Sequence, residues 1–264
     1  MRLVRLIAAA FAFAPVAAQA ADVEPRLTIV APDPSVRTVA LTLDACSGAT
    51  DHRVLDMLVA EAIPATVFVT HRWIRSNPAG LATLKAHPEL FEIENHGENH
   101  VPAVTDVSQV FGLKTAGSLE AVRAEVAGGA AAVEAATGER PRWYRDATAR
   151  YSPDAVAEIK AQGFAIAGYS LNADMGASLM APTVARRVAA AKSGDVIIAH
   201  INQPGRAAGE GLAAGIRALK TAGARFMLLK DVETRLDDGP ETTIAVRKAA
   251  PALPSAAPKK ARTS

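Results

Sequence analysis

Residues 91–102 read Phe-Glu-Ile-Glu-Asn-His-Gly-Glu-Asn-His-Val-Pro and join a short apolar run to two of the chain's six histidines. The asparagines and the glycine of this segment disfavour a helix, and its final proline would end one. The segment therefore predicts a strand over 90–94 that ends in a tight loop carrying His96 and His100. Neutral imidazole is the commonest protein ligand of zinc-like cations, so the loop is a candidate metal site. A polar loop whose histidines face water is the alternative.

Similar apolar or β-branched runs recur on both sides of this segment and predict further strands. They cover 36–43, 65–70, 142–145, 164–171, 195–200 and 224–229. Helical periodicity fills the intervals, and Asp51, Ser118 and Ser152 are suitable helix-start residues. Repeated strand–helix units of this length imply parallel strands with right-handed crossovers. The sequence thus predicts an α/β fold, an incomplete and irregular (β/α)7 barrel in a single domain.

Polar residues stand at or just after the ends of five predicted strands. They are Asp44, the pair His96 and His100, Arg145, Asp174 and His200. A barrel of this type carries its chemistry at the C-terminal ends of its strands, where these side chains would meet. Packing does not explain the pattern, because a buried strand would otherwise stay apolar to its end.

The first 20 residues have the three parts of a secretory signal peptide: a basic start, an apolar run too short to span a bilayer, and a small-x-small cleavage site. We therefore predict a mature protein that is exported, periplasmic or extracellular, with no integral membrane span after signal cleavage. The predicted division of the chain is a signal peptide at 1–20, an N-terminal extension at 21–35, the barrel domain at 36–232 and a disordered Ala/Pro/Lys tail at 233–264.

Charge is distributed unevenly along the chain. The signal peptide and the segment after Glu241 hold seven of the 29 basic residues and no acidic ones, which leaves 22 basic against 27 acidic residues in the body. That balance gives no basic footprint, so nucleic acid is not expected as a partner. Cys46 is the single cysteine, so no intramolecular disulfide can form. A buried, inert thiol is expected, since a nucleophilic role would need a histidine arranged beside it.

Two histidines able to hold a cation, a carboxylate and a third histidine suit metal-assisted hydrolysis. In this interpretation the metal polarises a carbonyl, Asp44 takes the proton of the attacking water, and His200 protonates the leaving amine. Arg145 keeps Asp44 ionised, and Asp174 orients His200 and favours its charged form. The alternative for the carboxylates is a strand-end cap, and for His200 a core histidine bonded to backbone.

The order of these motifs resembles the polysaccharide deacetylase (NodB-homology) family, carbohydrate esterase family 4, over about 36–229. Thr42-Leu43-Asp44-Ala45 stands in the place of the family's first motif, Thr-Phe-Asp-Asp. The segment from Asn95 to His100 matches its second motif, in which His-x-x-x-His follows Asn.

The later motifs match in part. Arg145 corresponds to the arginine that begins the third motif and pairs with the base, although Asp-Ala-Thr replaces the family's usual prolines and aromatic after it. Asn172-Ala173-Asp174 resembles the fourth motif without its tryptophan. Ile198-Ala199-His200 resembles the fifth, Leu-x-His.

The resemblance implies a hydrolase that removes N-acetyl groups from an amino-sugar polysaccharide or oligosaccharide. Asp44 matches the family's catalytic base and His200 its general acid. The implied cofactor is a divalent metal at His96 and His100, with zinc as the expected ion. The family's third metal ligand is the second aspartate of the first motif, and here that residue is Ala45.

A third ligand would have to come from elsewhere, because a stable catalytic site normally uses three protein ligands and an open position. Asp44 and Asp51 are the candidates, and a weak or lost metal is the alternative. Two other functions stay open. One is a catalytically weak glycan-binding protein on the same fold, which Ala45 and the few aromatic residues favour. The other is an amidase acting on a small non-peptide C–N bond. The joint presence of a base and an acid favours chemistry.

Overall fold

Strands and helices alternate along the chain, as the recurring apolar runs predict. The computed structural model describes residues 22–238 and the backbone of 245–247. The strands are β1 (Arg26–Ile29), β2 (Thr38–Ala45), β3 (Ala65–Val69), β4 (Phe91–Asn95), β5 (Gln109–Val110), β6 (Leu113–Lys114), β7 (Trp143–Tyr144), β8 (Ala165–Ile166), β9 (Leu171–Asn172), β10 (Val196–His200), β11 (Arg225–Met227), β12 (Thr234–Asp237) and β13 (Ala245–Arg247). The α-helices are α1 (His52–Ala60), α2 (His71–Ser76), α3 (Pro78–Ala86), α4 (Leu119–Thr137), α5 (Pro153–Ala161), α6 (Ala181–Ala189) and α7 (Ala208–Thr221).

Eight of these strands form one parallel sheet that curls into a half-barrel. The order is β8-β7-β4-β3-β2-β10-β9, and β11 pairs with the start of β2. The predicted fold class, a single-domain α/β incomplete barrel, is confirmed. Within the described part of the chain, no helix has the length and apolar character needed to cross a membrane.

Strand β2 lies at the centre of the sheet and separates two apolar layers. All eight of its residues are buried. The odd-numbered residues of 39–45 pack against the helices in one cluster, whereas Ala40 belongs to the cluster inside the barrel. Because side chains alternate across a strand, Asp44 faces the interior with Ala40, and Ala45 faces the helices.

The helix boundaries follow the capping residues that the sequence contains. Asp51 caps α1 and accepts from the backbone N–H of Arg53. Ser118 caps α4 and accepts from the N–H of Ala121, and Gly138 ends this helix with a left-handed φ of 81°.

The predicted single strand over 164–171 is wrong. The segment contains two short strands, β8 and β9, at opposite ends of the sheet. The backbone between them bonds elsewhere, because the Arg145 guanidinium donates to the carbonyl oxygens of Ala167 and Gly168 at 3.2 and 2.9 Å. A Cβ at position 168 would lie 2.0 Å from the carbonyl oxygen of Pro25, so this close packing needs a glycine. The barrel stays open at this point, and Arg145 ties the backbone that follows β8 to Thr42 and Asp44 on β2.

A second, small sheet forms from the two ends of the described chain. Strand β1 pairs antiparallel with β12, which pairs with β13. Thr234 and Leu236 are buried, so the prediction of a disordered tail over 233–264 is wrong at its start. The predicted signal peptide lies outside the described residues, as does the tail after residue 238 apart from the backbone of β13.

Candidate active site

The C-terminal ends of β2 and β10 bring two of the predicted catalytic residues side by side. The parallel register pairs His200 directly with Asp44. Neighbouring strands lie about 4.8 Å apart, so both side chains belong to one site. The other predicted residues reach this site from neighbouring strand ends, as the following distances show.

Asp44 forms a buried ion pair with Arg145. Nη1 of the arginine lies 3.0 Å from Oδ1 of Asp44 and 2.8 Å from the hydroxyl of Thr42. The guanidinium lies over the ring of Phe68, 4.4 Å from its centroid. Burial opposes ionisation of Asp44, but the positive charge of Arg145 and the nearby histidines outweigh it, so the pKa of Asp44 is lowered.

His200 is held by the carboxylate of Asp174. Its Nδ1 lies 3.0 Å from Oδ1 of Asp174, and its backbone N–H donates to Oδ2 at 2.8 Å. Burial disfavours the imidazolium, but the charge of Asp174 and its hydrogen bond prevail, and the pKa of His200 is raised well above its usual value. With Nδ1 committed to the carboxylate, Nε2 is the nitrogen left to interact with Cys46 and to face a substrate.

Three potential metal ligands converge beside this pair. Cys46, His96 and His100 each offer one ligand atom, and these atoms all lie within 4.8 Å of one another. Nδ1 of His96 lies 2.8 Å from the carbonyl oxygen of Arg145, so it carries the proton and leaves Nε2 free. That free nitrogen lies 3.5 Å from the sulfur of Cys46.

The group fits a divalent cation. Nε2 of His100 is buried and makes no hydrogen bond within the described part of the chain, which is costly unless a ligand occupies it. A metal-ligating histidine usually donates its other N–H to a carbonyl or carboxylate, as His96 does. One thiolate and two imidazoles form a donor set typical of zinc.

Without a cation, the electrostatics of this group favour a proton on His96 over one on Cys46. Burial opposes a charge on Cys46, but three surrounding histidines outweigh it, and the pKa of the thiol is lowered well below its usual value. Burial likewise opposes a charge on His96, yet Asp44 and Cys46 raise its pKa to about 9. A cation would compete with this proton, so its binding should weaken as pH falls.

The loop that carries the two histidines is fixed from helix α4. Oε1 of Glu125 accepts the backbone N–H groups of Asn99 and Val101, at 2.8 and 3.1 Å, on either side of His100. His100 itself has a left-handed φ of 65°, which is uncommon outside glycine. Glu125 thus holds a strained backbone in the conformation that points His100 into the site.

The loop that carries Cys46 is fixed in a similar way. The hydroxyl of Thr70 donates to the carbonyl oxygen of Cys46. The buried carboxamide of Asn202, with its oxygen facing the loop, accepts the N–H groups of Cys46, Ser47 and Gly48 at 3.2–3.3 Å. The sulfur is therefore held in place before any ligand arrives.

Asp51, considered as a third metal ligand, is engaged elsewhere. Its two carboxylate oxygens accept from Nε and Nη2 of Arg53 at 2.9 and 2.6 Å, and it caps α1. Asp44, the other candidate, has Oδ2 4.0 Å from Nε2 of His96, while Oδ1 is bound to Arg145. Neither belongs to the group of converging ligand atoms, which instead contains Cys46.

A model of the polysaccharide deacetylase family matches residues 31–167, just over half of the chain. The chain belongs to the polysaccharide deacetylase family. No curated protein matches it.

Solved structures similar to this polysaccharide deacetylase family member share its fold. An acetyl xylan esterase of family 4 from Clostridium thermocellum, in complex with a cobalt ion, has 25% sequence identity and a TM-score of 0.58, covering 73% of this chain and 88% of that one. The peptidoglycan deacetylase PdaC from Bacillus subtilis has 22% identity and a TM-score of 0.59, covering 75% and 90%. A CE4 family pseudoenzyme from Bacillus anthracis has 20% identity and a TM-score of 0.58, covering 76% and 69%.

Family membership supports a hydrolase that acts on non-peptide C–N bonds, and a divalent metal is general in the family. The arrangement brings a candidate base, a candidate acid and a candidate cation site together at the C-terminal ends of the strands. Sequence reasoning overlooked three residues that build it. Cys46 had a usable signal, because it lies two positions after Asp44 and so shares its face. Glu125 and Asn202 act across long sequence separations and had none.

Proposed function

We propose that this chain is an exported, metal-dependent hydrolase that removes N-acetyl groups from an amino-sugar polysaccharide or oligosaccharide. One observation carries the proposal. Asp44 and His200 stand opposite each other, each held by a partner of opposite charge, beside the Cys/His/His group. Glycan binding alone needs no such paired base and acid. The peptidoglycan deacetylase named above supports an amino-sugar polymer as the substrate class.

The side chains divide the work of amide hydrolysis. A divalent cation, zinc in this proposal, would be held by Cys46, His96 and His100 and would supply Lewis-acid polarisation of the acetyl carbonyl. Asp44 accepts the proton of the attacking water. His200 donates a proton to the leaving amine through Nε2.

The electrostatics give the two groups opposite protonation states at one pH. Arg145 lowers the pKa of Asp44 against the effect of burial, so the base is ionised. Asp174 raises the pKa of His200 against the same effect, so the acid keeps its proton. Hydrolysis of an amide needs both states at once.

Export is supported by the signal-peptide pattern of residues 1–20. Removal of that segment would release a mature protein able to meet cell-envelope or extracellular glycans. N-terminal sequencing of the protein recovered from outside the cytoplasm tests this part, and a retained Met1 would contradict it.

A glycan-binding protein with weak or no catalysis is the second candidate. Ala45 favours it, because this chain lacks the family's second aspartate, and the pseudoenzyme from Bacillus anthracis shares the fold. An amidase acting on a small C–N bond is the third. Acetate release separates all three if the substrates include chitin oligosaccharides, peptidoglycan fragments and small N-acetyl amides.

The decisive variants are Asp44→Asn and His200→Asn, compared with the wild type on the best substrate. Each should lose on the order of a hundredfold or more in turnover, the usual scale for a lost general base or acid. His87→Asn is the matched control, since His87 precedes β4, at the opposite end of that strand from His96, and pairs with Glu89. Wild-type turnover in both Asp44→Asn and His200→Asn, with circular dichroism showing a folded protein, would contradict the proposal.

A further inference from the structure

The next residue on the same side as the base is Cys46, which directly follows β2, and not Ala45. Ala45 packs in the layer between sheet and helices and has no exposed surface. Cys46, one position later, has its sulfur beside His96. The site therefore receives its third donor from a position shifted by one residue relative to the family's second aspartate.

Both histidines are arranged to share a ligand with this sulfur. Nε2 of His96 is directed at it because the other ring nitrogen is bonded to the carbonyl oxygen of Arg145. Nε2 of His100 is buried and has no hydrogen-bond partner in the described part of the chain. The two rings meet edge to face, with centroids 5.0 Å apart, so they approach one point from different directions.

The carboxylates that lie nearest in the sequence have other partners. Oδ1 of Asp44 is bound to Arg145, and both oxygens of Asp51 are bound to Arg53. Two imidazoles alone hold a cation poorly, since catalytic sites normally use three protein ligands. Cys46 is the donor that completes such a set.

We propose that Cys46, as a thiolate, is the third protein ligand of the metal centre with His96 and His100, and that it makes the site selective for zinc-type cations over magnesium and calcium. The inference rests on the proposed function, because it concerns the same site. Binding of the cation displaces to solvent the proton that the sulfur and Nε2 of His96 hold between them, and a lone pair of each atom forms a new bond to the cation. Thiolate favours zinc and similar ions, whereas magnesium and calcium prefer oxygen donors.

Cobalt(II) is the probe, because a thiolate ligand gives bound cobalt a sulfur-to-metal charge-transfer band in the near ultraviolet. Metal-free, reduced protein is titrated with cobalt chloride and then with zinc in competition. We expect one equivalent of cobalt to produce the band, zinc to abolish it, and magnesium or calcium in excess to leave it unchanged.

Two substitutions at position 46 separate the thiolate from a generic third ligand. Cys46→Ser should lose the band and weaken zinc binding by more than about 100-fold, since removing only an outer partner of a ligand already costs ~10–100-fold. Cys46→Asp should bind cobalt without the band, because it supplies an oxygen donor. Asp51→Asn is the matched control, and it should keep both the band and the zinc affinity.

Stoichiometric cobalt binding without the band in the wild type would overturn the proposal. So would Cys46→Ser binding zinc as tightly as the wild type, or loss of the band in a folded Asp51→Asn. If Cys46→Ser does not fold, protection of the wild-type thiol from a thiol-specific reagent by zinc gives the answer. Equal thiol reactivity with and without zinc would then be the contrary result.

These measurements do not depend on turnover. A wild type that shows the band but releases no acetate from any substrate keeps the thiolate ligand and loses the proposed hydrolase. A wild type that releases acetate but shows no band keeps the hydrolase and loses the thiolate.

Discussion

The buried carboxyl group of Asp44 and the buried pair Glu92 and Glu94 face the interior of the same half-barrel in opposite electrostatic states. At the C-terminal end of β2, Asp44 has Arg145 at 3.0 Å, and its pKa is lowered despite burial. On β4, Glu92 and Glu94 have each other as neighbours. Burial raises the pKa of both, and the charge of Glu92 raises that of Glu94 further.

The contrast shows that burial alone does not mark a catalytic carboxylate. Most of the hydrogen bonds that the two glutamates accept come from backbone N–H groups. Oε2 of Glu94 accepts the backbone N–H groups of Arg142 and Trp143 at 2.8 Å each. Oε2 of Glu92 accepts from the hydroxyl of Thr66 at 2.8 Å and from the N–H of Lys230 at 3.0 Å. Asp44 instead lies beside groups that can gain or lose a proton. A positively charged side chain as partner and a nearby acid therefore distinguish the candidate site from the glutamate pair.

The strongest test of the contrast removes the positive charge beside Asp44. Arg145→Met leaves the carboxylate of Asp44 buried without its partner and frees the carbonyl oxygens of Ala167 and Gly168. Loss of one partner from a buried ion pair costs about 3–5 kcal/mol, so we expect a fall of that size in the free energy of unfolding. Urea denaturation at neutral pH measures it.

Arg123→Met is the control for the loss of an arginine. Arg123 forms a bidentate pair with Glu158, but its side chain is 58% exposed, so little change in stability is expected. Adding Asp44→Asn to Arg145→Met should restore part of the lost stability, because the unpaired charge is removed. Equal stability of the wild type and Arg145→Met would contradict the conclusion that the guanidinium of Arg145 stabilises the ionised Asp44.

A second test adds a buried carboxylate with neither cation nor backbone donors arranged for it. Ala45→Asp places the new group in the apolar layer that faces the helices. Its pKa should be raised by burial, as for other partnerless carboxylates, at a cost of about 2–4 kcal/mol at neutral pH. The cost should shrink as pH falls toward the usual carboxyl range, where the unfolded chain also takes up the proton.

Ala45→Asn separates charge from size in that experiment, because its effect on unfolding should not vary with pH over the same range. The cobalt charge-transfer band of Ala45→Asp should persist if the protein folds. A band lost in folded Ala45→Asp, replaced by oxygen ligation, would show that position 45 still reaches the metal centre.

The smallest expected effect concerns the glutamate pair. Because the pKa of Glu94 is raised on folding, the wild type loses stability as pH rises from the usual carboxyl range through the raised value. Glu94→Gln keeps an oxygen for the two backbone donors and removes the charge. It should be more stable than the wild type by about 1–2 kcal/mol at neutral pH, with the difference disappearing below about pH 4.

Glu89→Gln, a change at a largely exposed carboxylate, should show no such pH-dependent gain. Acetate release by Glu94→Gln should match the wild type, because Glu94 supports the fold and takes no part in the proposed reaction. A pH-independent difference, or a loss of turnover with the fold intact, would remove the distinction between the glutamate pair and Asp44.

Much of this architecture was predictable from local patterns. The apolar runs located six of the seven predicted strands to within a few residues, and the caps at Asp51, Ser118 and Gly138 set helix ends. Parallel topology then implied that the polar strand-end residues meet, and Asp44, Arg145, His96, Asp174 and His200 do lie within one network.

What failed depended on partners distant in sequence. The run over 164–171 has strand character, but it breaks because Arg145 and the segment at Pro25, directly before β1, take its backbone groups. The third potential metal ligand was sought among carboxylates, although the structure places the thiol of Cys46 beside the histidines. The alternation of side chains along β2 would have predicted that residue. The support from Glu125 could not be predicted, because it depends on how α4 packs against the loop.

The link that Arg145 makes between the backbone after β8 and strand β2 has a consequence for the comparison of this chain with its relatives. The same side chain donates to two backbone carbonyls and neutralises Asp44. A descendant that had abandoned hydrolysis would still need it to keep its shape. An arginine at this position is therefore weak evidence of activity. A survey that seeks active enzymes should look instead at Cys46, Asp44 and His200, whose side chains make no hydrogen bond to Ala167 or Gly168.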